Sequence, residues 1–77
     1  MNILAIDEIT GKETYKGTGY FTEENDPKDE TGTKKALFVN FGGLSTVYLG
    51  EVFFMGNIKV EISNLTSEEL RNIENQN

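Results

Sequence analysis

KALFVNFGGLSTVYLGEVFFMGNIKVEIS, residues 35–63, holds two glycine turns, Phe41-Gly42-Gly43-Leu44 and Met55-Gly56-Asn57-Ile58, each set between strand-like runs. Gly-Gly and Gly-Asn tolerate the positive φ that two-residue hairpins demand. The pattern predicts three consecutive antiparallel strands, about 35–41, 44–55 and 58–63. In the last, Ile58, Val60 and Ile62 alternate with Lys59, Glu61 and Ser63, giving one apolar and one polar face. The turns also set the register. Phe41 should oppose Leu44, Val39 should oppose Thr46, and Leu37 should oppose Tyr48. In the second hairpin Met55 should oppose Ile58, Phe53 should oppose Val60, and Glu51 should oppose Ile62. The middle strand is apolar on both faces and about twice the usual length, with Gly50 at its centre. A bend at Gly50 would let one strand serve both walls of a small barrel and turn Glu51 outward.

Working upstream, residues 2–9 and 12–21 read as another hairpin, closed near Thr10-Gly11. Tyr15, Gly17, Gly19 and Phe21 share one face of the second run, and glycines in a strand interior point to close approach by another segment. Downstream, Thr66-Ser67-Glu68-Glu69 is a capping box with Thr66 as N-cap and Glu69 at N3, followed by the short apolar stripe of Leu70 and Ile73. It predicts one C-terminal helix over about 66–75. The expected fold is mainly β, bordering on α+β: a five-stranded antiparallel meander curled into a small barrel-like sheet, with one short C-terminal helix. At 77 residues the chain is read as a single domain, 1–77.

Composition narrows the chemistry. The sequence has no His, no Cys and no Trp, one Arg (Arg71), and a net charge of −6. His and Cys supply most groups that titrate near neutral pH and most soft nucleophiles, and they are the common ligands of zinc, iron–sulfur and haem sites. The expectation is a non-enzymatic protein with no cofactor and no metal. Asp7-Glu8, Glu23-Glu24 and Glu68-Glu69 are adjacent carboxylate pairs; on strands such neighbours point to opposite faces, and at a helix N-terminus the dipole favours them. The start Met1-Asn2-Ile3-Leu4-Ala5-Ile6-Asp7 lacks a basic region before its apolar residues, which reads as no signal peptide. No apolar run approaches the ~18 residues of a membrane span. These features predict a complete, cytoplasmic protein that contacts no membrane.

Residues 22–33 carry Glu23, Glu24, Asp26, Asp29 and Glu30 against Lys28 alone, so most of the charge excess lies in one loop or hairpin tip. Such a surface disfavours direct binding to duplex nucleic acid, which needs clustered Lys and Arg. Asp26-Pro27-Lys28-Asp29 has the composition of a type I turn. A loop of about twelve residues in so small a domain is often functional. Glu23, Glu24, Asp26, Asp29 and Glu30 are therefore candidate partner-binding residues, a negative finger suited to a basic groove on a protein that handles nucleic acid. The bland alternative is a solvated tip that aids solubility. Calcium binding lacks the D-x-[DN]-x-[DN]-G spacing, and Gly17-Thr18-Gly19 and Gly42-Gly43 lack the helix that follows a phosphate-binding loop. Eight aromatics (three Tyr and five Phe) exceed what an open sheet buries on one face. Lys34, Lys35, Phe41, Tyr48 and Phe54 form a candidate interface or ligand patch.

In size, charge and residue usage the chain resembles the host-defence antagonists encoded by bacteriophages and mobile elements, including anti-CRISPR and anti-restriction proteins. It implies an inhibitor or regulator that works by occupying a partner's surface. Two other readings stay open: a homo-oligomeric barrel that binds a nucleotide-like ligand, and a structural or assembly protein.

Overall fold

The computed structural model describes residues 1–76. Its elements are β1 (Asn2–Asp7), β2 (Glu13–Thr18), β3 (Tyr20–Asn25), β4 (Lys35–Phe41), β5 (Leu44–Val47), β6 (Val52–Met55), β7 (Ile58–Ser63) and α1 (Ser67–Glu74). Both glycine hairpins form in the register their turns dictate. Phe41 pairs with Leu44 and Val39 with Thr46, while Met55 pairs with Ile58 and Phe53 with Val60. The ladders run past the strand ends: the Tyr48 amide donates to the Leu37 carbonyl at 2.8 Å, and the Ile62 amide to the Glu51 carbonyl at 2.7 Å.

The strands do not curl into the expected barrel. They form two antiparallel sheets, a four-stranded one in the order β2-β1-β7-β6 and a three-stranded one in the order β3-β4-β5. Two of the five expected strands are each divided between the sheets. Residues 12–21 part at Gly19 into β2 and β3, and residues 44–55 part over 48–51 into β5 and β6. Neither β1 nor β7 is where a meander would leave it, because the two pair with each other over Asn2–Asp7 and Ile58–Ser63. The bend foreseen at Gly50 is thus a complete passage from sheet to sheet, and Glu51 is exposed as expected.

Glycine chemistry explains both passages. At Gly19 a β-carbon would lie 2.8 Å from the Asn40 carbonyl oxygen and 2.8 Å from Ile3 Cγ1, inside van der Waals contact. Gly50 has φ +131°, in the region L side chains avoid. Between the sheets lie Ile3 and Ala5 of β1, Leu37, Val39 and Phe41 of β4, Tyr48, Phe53 of β6, and Val60 and Ile62 of β7. Every second residue of β1, β4 and β7 points inward, so period-two patterning alone builds this core. Val39 and Val60 are fully buried. Phe21 meets Tyr48 edge-on, with ring centroids 5.3 Å apart, an arrangement that aromatic quadrupoles favour.

The helix begins as its capping box requires. The Thr66 hydroxyl accepts from the Glu69 amide at 3.1 Å, and Glu69 Oε1 accepts from the Thr66 amide at 2.8 Å. The other oxygen of Glu69 takes the N-terminal ammonium at 3.2 Å, tying the last element to the first. Leu65 and Ile73 pack against the core, whereas Leu70, expected in the same apolar stripe, is exposed.

Gly19→Ala is expected to destabilise the protein by about 1–3 kcal/mol, the usual cost of forcing atoms into a filled site. In a domain this small that lowers Tm by roughly 4–8 °C per kcal/mol. Gly50→Val should also destabilise, through the backbone rather than through packing, since among the described residues beyond its chain neighbours only the Val52 oxygen comes within 4.0 Å of its β-carbon. Differential scanning calorimetry of both variants checks this; an unchanged Tm for either would mean that passage does not need glycine.

Candidate functional site

The acidic segment is more ordered than a loop. Thr22–Asn25 extend β3, with Glu23 opposite Leu37 and Glu24 opposite Ala36. The connection to β4 starts with the Pro-containing turn read from the sequence: the Asp29 amide donates to the Asp26 carbonyl at 3.0 Å, and the Lys28 amide to Asp26 Oδ1 at 2.9 Å. A main-chain bond from the Asp26 amide to the Lys34 carbonyl, 2.9 Å, closes the base of this loop.

Asp29 is the hub of the tip. Its carboxylate accepts from the amides of Lys34 at 2.7 Å, Thr33 at 3.1 Å and Thr31 at 3.2 Å, and from the Thr31 hydroxyl at 2.8 Å. The Lys34 amide first, and then the Thr31 and Thr33 donors, hold the Asp29 carboxyl below the ordinary aspartate range. Of the five candidate acids, Asp29 and Asp26 are therefore engaged in building the loop. Glu23, Glu24 and Glu30 are exposed and have no hydrogen-bond or ion-pair partner among the described residues. Strand alternation puts Glu23 and Glu24 on opposite faces of the hairpin. Lys35 reaches back across it, donating from Nζ to Asn25 Oδ1 at 2.8 Å.

The second candidate set does not come together. Lys34 and Lys35 are exposed, but of the three aromatics Phe41 and Tyr48 are core residues and only Phe54 is exposed. Lys35 and Phe41 sit at opposite ends of β4, roughly 20 Å apart for an extended strand. The physical reason is the split of residues 44–55: once β5 and β6 belong to different sheets, Tyr48 turns into the space between them and Phe54 stays on the outer face. Burial first, and the Glu51 carboxylate second, raise the Tyr48 phenol above its ordinary range.

Tertiary packing makes two concavities that no sequence pattern marks. A cleft of about 710 Å³ lies between the acidic hairpin and α1, with Glu23, Asp26, Lys34 and Lys35 on one wall and Asn72 and Asn75 on the other. Asn72 and Asn75 read in the sequence only as the polar side of a short helix. At the other end of β4, Tyr15, Phe41, Leu44, Met55 and Ile58 line an apolar cavity of about 290 Å³. Tyr15 closes its floor, its ring 5.5 Å from that of Phe41 and its hydroxyl donating to the Thr18 carbonyl at 2.8 Å.

No family model matches the chain, and no curated protein or solved structure is significantly similar to it. Among the described residues no helix is long and apolar enough to cross a membrane, and no three acidic side chains converge as they would around a metal ion.

The charge on Asp29 should be visible as a titration. Because its folded-state value is lowered, the order it confers is complete above the ordinary aspartate value of about 3.9 and is lost as pH falls through the lower folded value. The amide resonances of Thr31, Thr33 and Lys34 are expected to titrate together with one midpoint below about 3.9. Asp29→Asn should abolish that titration and speed amide exchange at the three positions. Independent midpoints in NMR spectra would mean Asp29 is not the hub.

Proposed function

We propose that the chain is a non-enzymatic protein-binding module, an inhibitor or regulator whose acidic hairpin occupies a basic surface of a partner that handles nucleic acid. This is the mode of action by which phage and mobile-element proteins counter host defence. The observation that carries the reading is a division of labour in the hairpin. Asp26 and Asp29 hold the tip in shape, while Glu23, Glu24 and Glu30 stand exposed without counter-ions among the described residues. A pre-shaped acidic surface loses little conformational entropy on binding, and its field steers encounter with a positively charged partner. With no His and no Cys in the sequence, the residues at hand are suited to recognition rather than to nucleophilic or acid–base chemistry. A nucleotide-like ligand is less well served, since Lys34 and Lys35 stand at the far end of β4 from the cavity beside Phe41.

The test immobilises the protein and the triple variant Glu23→Gln, Glu24→Gln, Glu30→Gln side by side in lysate of the natural host cells and elutes with a salt gradient. The wild type should retain a basic protein that leaves at moderate salt, as expected for exposed charge pairs. The variant should retain none of it and melt at an unchanged temperature, because its three side chains make no contact the fold depends on. Equal retention of the same partner by both proteins would overturn the reading.

A further inference from the structure

We propose that the open edge of β6 pairs with β6 of a second copy, joining the two four-stranded sheets across a twofold axis. Hydrogen bonding has two phases along an antiparallel strand, and the Gly56-Asn57 turn sets which residues face β7. Met55, Phe53 and Glu51 form the bonded pairs with Ile58, Val60 and Ile62, as the 2.7 Å bond between the Ile62 amide and the Glu51 carbonyl shows. The main-chain groups of Val52 and Phe54 therefore point the other way, along an edge where nothing among the described residues meets them. Their side chains are exposed as well, at 54% and 57%.

The other edges are guarded or less apolar. β2 carries Glu13 and Lys16, and β3 carries Glu23 and Glu24, charges that discourage strand addition. β5 has no charge, but the same phase argument leaves Ser45 and Val47 on its open side, and Val47 is half-buried. Only β6, Val-Phe-Phe-Met, joins unpaired main chain to large exposed apolar side chains.

The occupant is a second copy because the edge complements itself. When two β6 strands run antiparallel about Phe53, Val52 of each lies opposite Phe54 of the other. Both residues then donate and accept across the junction, and the outer face gains aromatic–β-branched pairs, a favourable cross-strand combination. The charges do not oppose it. On the outer face Val52 is flanked by Glu61 and Phe54 by Lys59, which pair with each other at 4.0 Å within one copy. Across the junction Glu61 and Lys59 of the second copy lie in one row, roughly 14 Å apart at ordinary strand spacing, so no like charges meet. Glu51 falls opposite Met55 of the other copy. A twofold contact uses the same edge of both copies, so pairing closes at a dimer, and with strands of four residues the interface is small and reversible.

The experiment is sedimentation equilibrium from about 10 μM to about 1 mM, the span of weak association, at low and high salt, with amide exchange measured at both ends of the range. The mass should rise from 8.6 kDa toward twice that value, and more readily at high salt, which screens the −6 charge on each copy. Exchange at the Val52 and Phe54 amides should slow at high concentration, while the Phe53 and Met55 amides, already bonded to β7, should not change. Phe54→Lys should remain monomeric. A wild type that stays monomeric throughout overturns the proposal. So does a dimer that leaves the Val52 and Phe54 amides unprotected, or one that protects Ser45 and Val47 instead. The exchange measurement decides the matter even if Phe54→Lys fails to fold.

Discussion

At Gly19 there is no space for a side chain between the Asn40 carbonyl and Ile3, and the arrangement of both sheets depends on that contact. Ile3 belongs to one sheet and Asn40 to the other, so the chain passes between them where they come closest. Because β2 and β3 part company there, β1 can pair with β2 on one side and with β7 on the other. The second passage, over residues 48–51, repeats the manoeuvre on the opposite half of the chain. With two passages the inner faces of β1, β4, β6 and β7 close over a single apolar layer, which a short chain without disulfides needs to remain folded.

The same division of the strands governs what is left outside. β3 and β4 run on past the core, and their extension becomes the acidic hairpin. A chain of net charge −6 would lose stability by crowding carboxylates into a tight tip, yet Asp29 converts one of those charges into a structural element by taking the amides of Thr31, Thr33 and Lys34. Charge-assisted bonds of this kind are stronger than neutral ones. The hairpin thus holds its shape from within and leaves Glu23, Glu24 and Glu30 exposed. Glu69 plays a comparable part in α1. Partial burial pushes its carboxyl up, but the Thr66 amide and the N-terminal ammonium outweigh that and hold it below the ordinary glutamate range.

Local rules carried the reading of the sequence a long way where the interactions are themselves local. Gly42-Gly43 and Gly56-Asn57 determine their own hairpins, and a hairpin's register is a property of its turn. Thr66 and Glu69 satisfy each other's amides within four residues, so the start of α1 is legible without any knowledge of its surroundings. Asp26-Pro27-Lys28-Asp29 is legible for the same reason. The bend at Gly50 is legible from the glycine itself, but strand propensity runs unbroken across Gly19 and across residues 48–51 and cannot say to which sheet each half belongs. Phe41, Tyr48 and Phe54 read as one patch in the sequence for a related reason: aromatic composition marks a residue as able to be buried, not as the one that is.

By itself the sequence determined the turns, the registers beside them, the helix cap, the −6 charge and the concentration of acid in one segment, since each follows from residues close together in the chain. Tertiary structure alone decided the partition into two sheets, the pairing of β1 with β7, and the identity of the buried aromatics. It also decided which carboxylates shape the hairpin and which remain exposed, and it opened the cleft between the hairpin and α1. These depend on contacts between residues far apart in sequence. Such contacts form only when apolar faces compete for one small interior, and no local pattern encodes the outcome of that competition.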